Sequence, residues 1–270
     1  MKICFHTHCF PDALAPKAMA VLTENAKVCG YYPRTDGTAA GAEKLLRSAG
    51  IDGALVCNIA TNPRQEHKVN DFAISIAAER GFLFAAGSLH PDSEEMETEL
   101  DRLAAAGIRG IKVHPDYVGL DVTDEKFDRI FSLAEERGFF VVTHTGFDPV
   151  SPDHPHATAD GLLSVVKKHP RLRLIAAHMG GPRQSKAVLE TLVGTSICFD
   201  TSLCSIRPDE QDTLKTILRE HDPEKILFGT DTPWSDPSAE IEFLESAGLT
   251  ERVLSHIFYQ NAARLLAIGH

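Results

Sequence analysis

A chain of 270 residues that is 43% hydrophobic and 24% charged can bury a full core, and its net charge of −11 argues against the basic surface that nucleic acid or an anionic membrane requires. Small molecules are the expected partners. No apolar run is long enough to cross a bilayer, and the chain begins directly with a strand-like run instead of a leader, so a cytoplasmic protein is expected.

The first run, "KICF" (2–5), leads into His6 and His8. Successive side chains on a strand point to opposite faces, so the two imidazoles emerge on one side and Thr7 on the other. Imidazole is the commonest side-chain ligand for a transition metal, and two of them one strand repeat apart define two corners of a site. Taken alone, the motif is also met by two hydrogen-bonded histidines near a terminus. The long connection 9–38 follows, with an expected helix around "ALAPKAMAVLTENA" and an irregular "GYYPRTDGT" containing Arg34. Loops of that size at a barrel mouth commonly shape a substrate pocket. A guanidinium there suits a substrate carboxylate, although a lone loop arginine is often simply solvated.

Further strand-like runs are "GALVCNIA" (53–60), "FLFAAGSL" (82–89), "GIKV" (110–113), "FFVVTH" (139–144), "RLIAAH" (173–178), "SICFDT" (196–201) and "KILFGTD" (225–231). Between them apolar residues recur at spacings of three and four in 42–50, 70–81, 96–107, 124–138, 159–169, 182–194, 208–221 and 237–248, which predicts helices. The last three are expected to open on proline in their first turn. Eight alternations imply parallel strands with helical crossovers, that is, an α/β fold of the (β/α)8 TIM-barrel type in a single domain over 1–270. A doubly wound open sheet is the rival, but no glycine-rich phosphate loop follows the first strand. The six cysteines lack a CxxC pair or a dense framework and read as reduced thiols. Cys9 should face away from the histidine pair.

In such a barrel the C-terminal strand ends build the active site, so residues distant in sequence converge there. His6, His8, His90, His114, His144, His178 and Asp231 all stand at such ends. Core filling would not place them so regularly just after apolar runs. Lys112 has the same parity as His114 and should line the lumen, either near a metal or as an amine neutralised by a carboxylate. His90 reads best as a hydrogen-bonded residue before proline. Trp234, three residues after Asp231, walls the pocket or packs beneath its loop.

HxH on the first strand, "THTG" with His144, "AHMGG" with His178 and "GTDTPW" with Asp231 resemble the amidohydrolase superfamily, in its amidohydrolase-related branch of metal-dependent hydrolases. That branch includes aminocarboxymuconate-semialdehyde decarboxylase, and the likeness extends to the closing "IFYQNAARLLAI" (257–268). The resemblance implies that His6, His8, His144 and Asp231 hold one divalent metal, zinc in most members, with manganese as the alternative. It further implies metal-activated water, Asp231 as general base and His178 assisting. Arg34, Lys112, His114 and Trp234 are then the substrate-binding candidates, and a second ion through His114 or a modified Lys112 is the variant of this scheme. The function implied is hydrolysis of a small, carboxylated amide, lactone or ester, or alternatively a non-oxidative decarboxylation, in a protein whose relatives commonly form homodimers. A phosphoesterase or nuclease of the TatD type would want a strand-three glutamate and a basic groove. A silent metal-binding barrel would not need Asp231.

Overall fold

In the computed structural model, which describes residues 1–79 and 81–268, eight parallel strands pair in sequence order. They are β1 (Ile3–Thr7), β2 (Gly53–Cys57), β3 (Leu83–Ser88), β4 (Gly110–Val113), β5 (Phe140–Thr143), β6 (Arg173–Ala176), β7 (Cys198–Asp200) and β8 (Ile226–Leu227). The sheet curls back on itself: Phe5 N–H donates to the Phe228 carbonyl at 2.6 Å, Asp231 N–H to that of His6 at 2.9 Å, and His8 N–H to that of Thr232 at 2.7 Å. The expected TIM barrel is therefore the fold.

Each helix forms where its periodicity and ends agree. In Glu125–Arg137 the Asp124 carboxylate accepts from Lys126 N–H at 2.9 Å and Gly138 ends the helix with φ +69°. Phe127, Ile130, Phe131 and Ala134 fall on one stripe and are buried against the outside of the sheet. Truncating Phe127 to alanine would cost about 3–5 kcal/mol by the usual scale of such cavities. The helix in the long first connection covers Ala15–Lys27. Helix Glu66–Glu79 starts earlier than the expected 70–81, whose residue 80 lies outside the described residues. Two proline expectations hold, with Pro237 opening its helix and Pro208 opening a 3-10 turn ahead of Gln211–Glu220. The third does not: the segment begins only at Ser185, because Gly181 and Pro182 remain in a tight connection packed on Gly146.

Two apolar clusters divide the interior. The larger lies between sheet and helices; the smaller fills the lumen with Ile3, Phe5, Leu55, Cys57, Ala86, Phe140, Val142, Ile175 and Leu227, and Ala262 and Leu265 of the closing helix plug it from below. Gly110 is needed here, since a Cβ on it would lie 2.1 Å from the Phe140 ring. Cys4 and Cys9 belong to the outer cluster and all six cysteines are free.

The two clusters expose an irregularity in β1. Ile3 and Phe5 face the lumen and Cys4 faces out, so unbroken alternation would turn His6 and His8 outward as well. The pairing of β1 with β2 slips between Cys4 and Thr7, where three steps along β1 match two along β2, Ala54 to Val56. This bulge resets the phase and aims His6 into the barrel.

Candidate metal centre and active site

The Nε2 atoms of His6 and His8 lie 3.2 Å apart and face Asp231 Oδ1 at 3.4 and 3.1 Å respectively. These three ligand atoms form a group compact enough for one metal ion. His6 ends β1 beyond the bulge, and Asp231 stands in the turn after β8 with φ +58°, in the left-handed region that aspartate adopts more readily than most non-glycine residues. His178, after β6, also has a positive φ of 57°.

Hydrogen bonds decide which ring nitrogens carry protons. His6 Nδ1–H donates to Asp200 Oδ2 at 2.8 Å, which leaves Nε2 of that ring unprotonated, and His8 Nδ1–H donates to the Cys57 carbonyl at 2.9 Å, which turns its Nε2 toward Asp231. The Ser202 hydroxyl donates to Asp200 Oδ1, so it accepts from His178 Nδ1–H at 2.7 Å. His178 Nε2 is then an acceptor for His144 Nδ1–H at 3.3 Å, and His144 is left with an unprotonated Nε2. That Nε2 is buried and has no hydrogen-bond partner among the described residues. Burial drives the pKa of His6 and His178 well below the ordinary imidazole value and that of His144 to about 3, so the whole relay is neutral.

The residues therefore fit a divalent ion. His6, His8 and Asp231 are pre-assembled, and His144 presents an orphaned nitrogen of the kind a fourth ligand supplies. His144 itself is grouped with His114 and Asp148, not with the triad. Its Nε2 lies 3.5 Å from Asp148 Oδ2 and 4.0 Å from Asp116 Oδ2. The His114 ring stacks on His144 at 4.1 Å and on Tyr117 at 3.7 Å between centroids. His114 Nδ1 and Asp116 Oδ2 are also without partners among the described residues, at a cost of about 1–3 kcal/mol each if nothing fills the space. Burial, helped by the neighbouring Asp116 carboxylate, pushes Asp148 up to about 6.

Lys112 is in the lumen as expected, 1% exposed, with Nζ 3.4 Å from His6 Nε2. No carboxylate lies within 4.0 Å of it among the described residues, and Asp200, Asp231 and Asp148 act on it only from farther away. Burial lowers its pKa, and burial raises that of Asp231. Two of the candidate residues have partners that the sequence does not reveal. His178 Nδ1 bonds Ser202 Oγ at 2.7 Å and its Nε2 meets His144 Nδ1 at 3.3 Å, so it stands directly beside His144. Arg34 is not a free cation: its guanidinium pairs with Asp236 Oδ2 at 3.2 Å, although its backbone N–H, bonded to the Pro233 carbonyl at 2.9 Å, holds it at the rim. Trp234 is half-buried in the turn after Asp231, and its backbone N–H donates to the Asp231 carbonyl at 2.7 Å. His90 is held by its own loop, with Nδ1 accepting from Asp92 N–H at 3.1 Å.

Asp200 and Ser202 escaped the sequence reading. Their only signal is an acidic residue closing the apolar run "SICFD", the same signal that marks Asp231 after "KILFGT".

Comparison with known proteins yields a family and a set of folds. Residues 5–268 match the family model described as amidohydrolase. No curated protein matches the chain. Among solved structures it is similar to a TIM-barrel protein from Bordetella bronchiseptica, with a TM-score of 0.76, 16% identity and coverage of 98% of each chain. It is similar to a 5-carboxyvanillate decarboxylase from Novosphingobium aromaticivorans with bound manganese, with a TM-score of 0.71, 13% identity and coverage of 99% of this chain and 97% of that one. A third is a protein from Pseudomonas putida named as a candidate 2-pyrone-4,6-dicarboxylic acid hydrolase, with a TM-score of 0.67, 18% identity and coverage of 100% and 98%.

Proposed function

The chain belongs to the amidohydrolase family, and from that premise we propose that it is a metal-dependent hydrolase of a small, carboxylated amide, lactone or ester. The observation that carries the reading is the convergence of His6 Nε2, His8 Nε2 and Asp231 Oδ1 into one metal-sized group. His6, His8 and Asp231 would hold a single divalent ion, with His144 Nε2 as the candidate fourth donor. Three imidazole nitrogens and a carboxylate suit zinc, and manganese, bound in the Novosphingobium decarboxylase, is the alternative. Such an ion supplies Lewis acidity toward water and toward a substrate carbonyl.

The protein's own groups then divide the remaining work. Asp231, its pKa raised by burial, takes a proton from the attacking water and returns it to the leaving group. Asp200 and Ser202 keep His6 and His178 in their tautomers, and His178 in turn orients His144. Lys112, buried in the lumen beside His6, offers its Nζ to a substrate carboxylate, and Arg34 joins it from the rim by leaving Asp236. The His114–Tyr117 stack and Trp234 wall the space.

A second reading is non-oxidative decarboxylation, favoured by the decarboxylase among the similar folds. Incubating zinc- or manganese-loaded protein with small lactones, amides and aromatic acids separates the two. A new acid or amine supports hydrolysis, carbon dioxide supports decarboxylation, and turnover of none of these classes dismisses both.

A further inference from the structure

Away from the barrel axis, a second group repeats the donor set of the triad. Asp121 Oδ1 accepts from His154 Nε2 at 2.8 Å and from His156 Nδ1 at 3.0 Å, and the two rings meet edge to face with centroids 4.6 Å apart. The three ligand atoms are mutually within 4.8 Å, as in the group formed by His6, His8 and Asp231. They open on a pocket of about 420 Å³ that Thr123 and Asp124 also line.

Two different loops supply these residues. Asp121 follows β4, and His154 and His156 follow β5. Pro155 stiffens the backbone between the two imidazoles by fixing its own φ. The loops are already joined by Val122 N–H to the His156 carbonyl at 2.8 Å, so the donors stand on positioned backbone. His156 N–H also donates to Asp116 Oδ1 at 3.3 Å, and Asp116 Oδ2 faces His144 Nε2 at 4.0 Å in the wall of the catalytic site.

We propose that Asp121, His154 and His156 form a second, peripheral site for a first-row divalent transition ion of the zinc type, tying the loop after β4 to the loop after β5. Two imidazoles and one carboxylate select zinc, nickel or copper over magnesium, which demands oxygen ligands and keeps its waters. Three protein ligands leave room for solvent to complete the coordination, so the site is weaker than the buried one. It clamps the loops and, through Asp116, steadies the wall beside His144. It stands independently of what reaction the buried centre performs.

The test is isothermal titration of the chelator-stripped protein with zinc, alongside hydrogen exchange of residues 119–124 and 147–158. Two binding events are expected in the wild type, with slower exchange in both loops after the second. The His154→Gln, His156→Gln double variant and the Asp121→Asn variant should each lose the weaker event and the added protection. His8→Gln should keep both while losing the tighter event. Magnesium alone should produce neither. An unchanged weaker event in the double variant, or zinc in the His8→Gln protein leaving both loops unprotected, overturns the proposal.

Discussion

His6 Nδ1 donates to Asp200 Oδ2 at 2.8 Å, with both side chains completely buried. Because burial holds the His6 imidazole neutral, this is a hydrogen bond from a neutral ring and it fixes which nitrogen is free for the ion. Asp200 also reaches His144 through Ser202 and His178, so one carboxylate sets the tautomers of two donors.

Asp200→Asn should therefore weaken metal binding about 10–100-fold, the usual effect of removing a group that orients a ligating histidine. Equilibrium dialysis against a competing chelator measures it. Wild-type affinity in the variant would show that His6 holds its tautomer without Asp200.

His144→Asn tests the orphaned nitrogen. The purified variant should contain far less metal than the wild type by elemental analysis. Full metal content would leave His6, His8 and Asp231 as the whole set.

Asp231→Asn removes the proposed proton acceptor as well as a ligand oxygen. Turnover should fall by at least about 10²–10⁴-fold, the scale of general-base catalysis, even with metal in excess. Unimpaired turnover on any accepted substrate would remove Asp231 from the mechanism.

Arg34→Met should raise KM for anionic substrates and leave neutral ones unchanged. Stability should stay within about 1 kcal/mol, because the Arg34–Asp236 pair is half exposed and such pairs contribute little. An equal KM for both substrate classes would confine Arg34 to its contact with Asp236.

Glu240 gives a pH dependence of stability. It is fully buried, accepts from Ser205 N–H at 3.0 Å and Ser205 Oγ at 2.7 Å, and desolvation pushes its pKa from an ordinary 4.5 up to about 8. Between those values the folded state binds the proton and the unfolded state has released it, so stability declines as pH rises through the window and levels off above it. Each unit of separation is worth about 1.4 kcal/mol at most. Urea denaturation at pH 5 and at pH 8.5 should show the loss, and Glu240→Gln should flatten it. Equal slopes in the two proteins would assign the pH dependence to other groups.

Much of the barrel was legible because its signals are local. Eight apolar runs, the three-and-four spacing between them and the glycines at helix ends each depend on a few adjacent residues. The placing of His6, His8, His144, His178 and Asp231 at one rim follows from the same alternation once the strands are parallel. Asp200 was not legible, since nothing in "SICFD" tells a tautomer-setting carboxylate from an ordinary strand end. Neither was the pairing of Arg34 with Asp236, a contact between residues some two hundred positions apart.

What the amino-acid order determined alone was the repeating strand and helix, the family likeness and the set of candidate donors. What only the tertiary structure decided was which way those donors face. The slip of β1 against β2 between Cys4 and Thr7 turns His6 inward, and the hydrogen bonds of Asp200, Ser202 and the Cys57 carbonyl choose the nitrogen each ring presents. Strand register and proton position are set by partners that folding brings together, so no stretch of sequence carries them by itself.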